Sequence, residues 1–215
     1  MKIGIIVAME KELKQLRPLF PEDQVILQKS GIGKVNAALQ TAKMISQYHP
    51  DVIVSTGCAG GNGDDINIQN VVVSNQLAYH DVYCGEAIGP SVYGQVQGLP
   101  PRFEADPHLL AKALKLNIGL ASPKVHPGLI VTGDWFVDSK EKMQEIISHF
   151  PEAKAVDMES AAIAQTCYLY NVPFISFRVI SDIPLRDTHA SQYHDFWNTT
   201  AEKSFQVTKN FIESL

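Results

Sequence analysis

Residues 153–182 read AKAVDMESAAIAQTCYLYNVPFISFRVISD. Ala153–Val156 is a short apolar strand that runs straight into a helix over Ser160–Tyr170. Pro173–Ile180 is a second strand, which stops at Ser181-Asp182. Strand, helix and strand in this order form a crossover unit, which puts two parallel strands into one sheet. The run PFISFRVIS carries apolar residues at both odd and even positions, as a strand covered on both faces requires.

The same rhythm extends in both directions. Upstream, Lys2–Val7 reads as a strand, Glu10–Leu16 as a helical segment and Gln24–Gln28 as a strand. Val35, Ala38, Leu39, Ala42 and Ile45 recur at helical spacing through Val35–Tyr48. Asp51–Ser55 is a strand leading into a glycine-rich loop, Thr56–Asp64, and Val71–Leu77 is another strand. The Gly/Pro-rich stretch Tyr83–Phe103 is poor in regular structure, and Asp106-Pro107 opens a helix through Leu116 with cap and first-turn proline in place. Leu129–Thr132 is a strand, Ser139–Phe150 a helix and Gln192–Leu215 a closing helix. No linker or repeat interrupts the chain. The expected fold is one α/β domain over residues 1–215, a three-layer α/β/α arrangement around a twisted mixed, largely parallel sheet.

Composition narrows the function classes. Of 215 residues, 45% are hydrophobic and 19% charged, a globular balance that supports a sizeable core without disulfides or metal. A formal net charge of −5 excludes a generally basic nucleic-acid binder. No apolar run is long enough for a membrane span, and the apolar start of MKIGIIVAME ends at Glu10, too soon for a secretory signal. Three scattered cysteines make no disulfide framework, and seven histidines form no HExxH or Cys/His cluster, so no metal site is expected. A cytoplasmic location is expected from these features.

In open α/β sheets, ligands gather beyond the carboxyl ends of the strands. The polar residues there are Glu10 and Glu12, the loop STGCAGG, Asp157 and Glu159, and Asp182. Each has a plain structural reading beside a chemical one. Asp157 can cap the following helix with Glu159 in its first turn, where the dipole favours acids. Asp182 can cap whatever follows it, and Glu12 can sit on a solvated helix face. Cys58 is either a nucleophile without an assignable base or a small buried filler. Trp135 and Phe136 either stack on an aromatic ligand or fill the core. Arg178, inside an apolar strand, must face an acid or a bound oxygen ligand. STGCAGG is neither a Walker A loop nor a Rossmann fingerprint, and says only that backbone approaches something closely there.

Assembled, the pieces resemble one family. GIIVAMEKEL, KSGIGKVNAAL, STGCAGG, AYHD, YGQ, GLIVTGDWF, AVDMESAAIA and NVPFISFRVISD occur in that order over nearly the whole chain. In this the chain is similar to the 5′-methylthioadenosine/S-adenosylhomocysteine nucleosidases of the purine nucleoside phosphorylase–uridine phosphorylase superfamily. The resemblance implies hydrolysis of the N-glycosidic bond of an adenine nucleoside, without a cofactor. It makes Glu12 the water-activating carboxylate, Asp182 the acid at adenine N7, and Glu159 with the Met158 backbone the contacts on the ribose hydroxyls. It places Arg178 near the water and ribose, Phe136 against the base and the Val137 backbone on its Watson–Crick edge. Met9 and Ile32 then line the ribose and 5′ side, with Cys58, Gly60, Ser181 and Tyr193 completing the pocket. It also implies a homodimer in which Tyr83–Phe103 reaches the neighbouring site.

The chemistry agrees: adenine leaves more easily when N7 is protonated, and carboxylates stabilise an oxocarbenium-like sugar. Burial at a strand end is expected to raise the Asp182 pKa toward that task. The stretch Val54-Ser55-Thr56-Gly57 carries no cation to hold phosphate, which favours water as nucleophile. Alternatives are a futalosine-type nucleoside hydrolase, a purine nucleoside phosphorylase and a nucleoside-binding protein without turnover. Departures from the family pattern are a shorter stretch before KSGIGK, Cys58 in place of serine, Asp157 in place of glutamate, a bulky Trp135 and an unusual Tyr83–Gly94.

Overall fold

The computed structural model describes residues 1–21, 24–86, 92–117, 123–186, 192–196 and 201–215. Its strands are β1 (Ile3–Val7), β2 (Ile26–Lys29), β3 (Val52–Gly61), β4 (Val71–Tyr79), β5 (Phe103–Glu104), β6 (Val125–Thr132), β7 (Ala153–Asp157) and β8 (Phe174–Asp182). The helices are α1 (Glu10–Leu16), α2 (Lys34–Tyr48), α3 (Pro107–Leu114), α4 (Lys140–His149), α5 (Ser160–Tyr170) and α6 (Ala201–Glu213).

Strand alternation sorts the core into two layers. Ile3, Ile5 and Val7 of β1, Val52 and Val54 of β3, and Ile175, Phe177 and Val179 of β8 pack with Leu13 and Leu16 of α1, Leu109 of α3 and Phe211 of α6. Their neighbours Ile6, Ile53, Phe174 and Ile180 pack instead with Ala37 and Met44 of α2 and Ala161 and Ile163 of α5. The period of two that alternates side chains across a strand thereby places helices on both faces. α5 is buried nearly all round as far as Cys167, and its small residues Ala161, Ala162 and Ala164 let it lie close against the sheet. Asn171, left-handed at φ 54°, ends it.

The strands follow the order β2-β1-β3-β7-β6-β4-β5, with β8 paired to both β3 and β4. Pairings β1–β2, β1–β3, β3–β8, β4–β6 and β6–β7 are parallel, whereas β3–β7, β4–β8 and β4–β5 are antiparallel. The mixed, largely parallel sheet is therefore as expected, with two differences. β7 and β8, expected as the parallel strands of one crossover, run in opposite directions, because β3 pairs β7 antiparallel and β8 parallel. In addition, β3, β7, β6, β4 and β8 pair in a closed circuit. The expected loop Thr56–Asp64 is the reason. STGCAGG continues β3 as far as Gly61, pairs with β8 along its length and then meets β7 at Gly60 and Gly61. A register shift at Ala59/Gly60 bends the strand enough to do both.

Other boundaries shift modestly. β2 lies at Ile26–Lys29 rather than Gln24–Gln28, and α3 tightens into a 3₁₀ turn at Lys115–Asn117. Between α1 and β2 the described residues hold a 3₁₀ turn, Arg17–Leu19, and no strand. The single closing helix is found as a helical stretch at 192–196 and α6, while 197–200 lie outside the described residues. Within 83–103 the described residues form no helix and no strand before β5, and 87–91 lie outside them.

Phe177 of β8 and Phe211 of α6 stack with centroids 4.7 Å apart, both fully buried. Phe211→Ala is expected to cost about 3–5 kcal/mol through lost burial and a residual cavity. Urea unfolding at fixed protein concentration measures it; a loss under ~1 kcal/mol would mean α6 contributes little to the core.

Candidate active site

Glu12 reaches the site by capping its own helix. As the third residue of α1 it turns back, and its Oε2 accepts the backbone N–H groups of Ala8 (2.9 Å) and Met9 (2.8 Å). Its Oε1 accepts the N–H of Cys58 from β3 at 2.9 Å. The solvated-face alternative is excluded, since the residue is buried. Burial pushes the carboxyl above its ordinary pKa, while the Arg178 charge and the three N–H groups pull it back.

Glu159 is the N-cap of α5, one residue removed from the first-turn position considered from sequence. Its side chain does not cap that helix. Oε1 instead accepts the N–H of Gly33, the N-cap of α2, at 2.9 Å. Burial and the neighbouring Asp157 raise its pKa to about 7, against the opposing pull of Arg178 and the Gly33 N–H. Asp182 is the last residue of β8, buried, and its Oδ1 accepts the Ser181 hydroxyl at 2.7 Å.

Behind these acids lies a buried ion pair. Arg178 Nε donates to Asp157 Oδ2 at 2.5 Å and to Ser160 Oγ at 2.9 Å, and Nη2 donates to Ser55 Oγ at 2.8 Å. Asp157 also accepts the Thr132 hydroxyl at 2.5 Å and, at 3.3 Å, the N–H of Ser160, the first residue of α5, although the N-cap position itself belongs to Glu159. Gly57 is the tightest point. A Cβ there would stand 2.5 Å from both Arg178 Nη1 and Glu12 Oε1, which identifies what the glycine lets approach the backbone.

One cavity is lined by Ala8, Met9, Glu12, Ile32, Cys58, Ala59, Gly60, Trp135, Phe136, Val137, Val156, Asp157, Met158, Glu159, Ser181, Asp182 and Tyr193. Its void, mouth and adjoining open space included, is about 680 Å³. Every site residue expected from sequence is there except Arg178. That guanidinium turns to Asp157, Ser160 and Ser55 because a buried cation needs its donors filled, and so it backs the site instead of lining it. Ala8, Ala59 and Val156 were not anticipated; each is an apolar neighbour of an expected residue, with no chemistry to mark it.

Ile32, Trp135 and Phe136 are each about half exposed, so the two aromatics flank a mouth and do not fill the core. Phe136 meets Tyr193 edge-on at 5.6 Å, and Lys142 Nζ lies 4.7 Å over the Trp135 ring. Burial and the Glu12 charge hold the Cys58 thiol well above its ordinary pKa, which leaves it a protonated wall residue and not a nucleophile. Among the described residues no group of His, Cys, Asp and Glu is arranged to hold a metal ion, and no Lys, Arg or His lines the cavity.

A mixed α/β sheet carrying such a cleft is the architecture of the Phosphorylase superfamily, whose profile matches residues 2–213. A 5′-methylthioadenosine/S-adenosylhomocysteine nucleosidase of Exiguobacterium sp. (strain AT1b) is 40% identical over 225 residues, covering 96% of this chain and 95% of its own. One of Geobacillus sp. (strain WCH70) is 39% identical, covering 100% and 99%. Among solved structures, the nucleosidase of Colwellia psychrerythraea 34H in complex with adenine superposes with a TM-score of 0.92 at 35% identity, covering 100% of this chain and 96% of that one. That of Neisseria meningitidis with methylthio-immucillin-A gives 0.91 at 36% identity, covering 100% and 99%. The chain belongs to the 5′-methylthioadenosine/S-adenosylhomocysteine nucleosidase family of this superfamily.

The raised Glu159 pKa has a consequence for stability. Between the ordinary value of 4.5 and about 7 the folded chain keeps a proton that the unfolded chain releases. Glu159 therefore favours folding fully below that window, and the benefit fades as pH rises through about 7. Glu159→Gln should remove this slope, so that wild type loses on the order of 2–3 kcal/mol relative to the variant between pH 4.5 and 8. Parallel denaturation curves across that range test it; identical slopes for the two proteins would place the Glu159 pKa at its ordinary value.

Proposed function

We propose that the chain hydrolyses the N-glycosidic bond of 5′-methylthioadenosine and S-adenosylhomocysteine, releasing adenine and a 5-thioribose derivative. The observation that carries this is the arrival of three acids from separate elements in one cleft without a cation: Glu12 from α1, Glu159 from the start of α5 and Asp182 from the end of β8. A phosphate dianion would need positive partners, which the described lining lacks, whereas water needs only a base.

In this reading Glu12, held by three N–H groups in one orientation, takes a proton from water as the oxygen attacks C1′. Asp182 gives a proton toward N7 as the C1′–N9 bond breaks, so adenine leaves neutral. Glu159 grips the ribose diol with the Met158 backbone. Phe136 stacks on the base, the Val137 backbone meets its Watson–Crick edge, and Met9 and Ile32 lie along the ribose and 5′ side. Arg178 acts from behind, keeping Asp157 paired and biasing Glu12 toward its ionised form.

The reading extends to a cytoplasmic homodimer. Three unpaired thiols fit a reducing compartment, and Val35 and Leu39 expose an apolar stripe on α2 beside Ile32 at the cleft mouth. The segment 83–103 is proposed to reach the neighbouring site.

Purified protein incubated with 5′-methylthioadenosine in phosphate-free buffer should release adenine. Release that demands phosphate would reassign the chain as a phosphorylase, and tight binding without release as a carrier or sensor. Asp182→Asn should fold normally and lose at least ~10²-fold in kcat, the usual scale of one general acid; a rate near wild type would remove Asp182 from the chemistry.

A further inference from the structure

Two loops that line the cavity are tied together outside it. Lys34, the first residue of α2, sends its ammonium to Asp81, with Nζ 2.8 Å from Oδ1 and 2.7 Å from Oδ2. The Lys34 backbone N–H donates to Asp134 Oδ1 at 2.8 Å, and the Asp134 N–H donates to Asp81 Oδ2 at 2.8 Å. Three residues from three elements thus close a ring of charge-assisted bonds, roughly a quarter exposed at Lys34 and Asp81. None of the three lines the cavity.

What the ring joins gives it meaning. On one side, Lys34 follows Gly33, whose N–H holds Glu159, and Ile32 at the mouth. On the other, Asp134 precedes Trp135, Phe136 and Val137 of the cavity wall. The Asp134 loop is also wedged from beneath. A Cβ on Gly133 would stand 2.3 Å from the His80 ring, and the Gly133 N–H donates to the Asp157 carbonyl at 3.1 Å. His80, buried and with no hydrogen-bond partner for either ring nitrogen among the described residues, acts there as a packing block on which the loop rests.

We infer that Asp81, Lys34 and Asp134 form a clasp that positions the base-stacking loop and the Gly33–Glu159 contact relative to each other, making Asp81 and Lys34 positioning residues for nucleoside binding. The inference rests on the activity proposed above. Glu12 and Asp182 are held by other bonds, to Ala8, Met9 and Cys58 and to Ser181. Opening the clasp therefore loosens the grip on base and ribose while leaving the acid and base in place, a loss of binding common to ground and transition states.

Asp81→Asn and Lys34→Met are the informative variants, because both side chains reach solvent and neither lines the cavity. In each, KM for 5′-methylthioadenosine should rise about tenfold with kcat within about twofold of wild type. The double variant should be no worse than either single one, as expected for partners in one ring. Lys34→Arg, which keeps the charge, should restore most of the affinity. An unchanged KM, a fall in kcat that accounts for the whole loss, or additive losses in the double variant would overturn the inference. Calorimetric titration with adenine separates this result from the activity itself: its Kd should rise about tenfold in both single variants. If wild type binds adenine but never releases it from the nucleoside, the hydrolase reading fails while the clasp is still judged by that Kd. An unchanged adenine Kd would sink the clasp even with the hydrolase intact.

Discussion

A guanidinium with almost no contact with water imposes order on this molecule. Arg178 sits in the middle of β8, where a neutral side chain would pack more easily, and a charge so placed is costly unless its donors are filled. Asp157 at the end of β7, Ser160 at the start of α5 and Ser55 in β3 fill them. One side chain thereby fixes the register of three strands and the entry point of a helix. The same charge lies against Gly57 opposite Glu12 and draws that carboxylate toward ionisation. Replacing the pair by apolar residues would leave a packable core, but Glu12 and Glu159 would lose the positive charge that opposes the effect of their burial.

The second economy of the design lies in shared bonds. The N–H of Met9, the N-cap of α1, is among those that a helix start leaves without partners, and Glu12 satisfies it together with the N–H of Ala8 before it. Gly33 at the start of α2 is satisfied by Glu159 in the same way, from 126 residues away. Each bond caps a helix and aims a carboxylate into the cleft. Structural and chemical readings of these acids are two descriptions of one hydrogen bond, which explains why neither could be dismissed residue by residue.

Much of this was legible in the chain. Strand and helix order followed from periodicity, and the acids stood at or just beyond the carboxyl ends of strands. Three things were hidden, each because it depends on contacts between distant segments. STGCAGG was read as a loop because glycine is poor in strands; it remains β3 because β8 and β7 supply its partners. Arg178 was expected to face an acid or a bound oxygen ligand, and an acid it is, but no local signal singles out Asp157, 21 residues earlier, as that partner. The ring of Lys34, Asp81 and Asp134 spans 100 residues of sequence, and each member alone is an ordinary surface charge. Motif order identified the family without any of these details.

The closed circuit of β3, β7, β6, β4 and β8 has a bearing on how copies of the chain meet. A strand inside a circuit has both flanks hydrogen-bonded, so the sheet is left with two open margins. One is β2, of four residues, ending in a lysine; the other is β5, of two. Margins so short, one of them charged, are poor templates for a foreign strand, and chains crowded together are steered away from fibrillar stacking. Assembly is left to the side-chain faces of the helices, where complementarity can be selective.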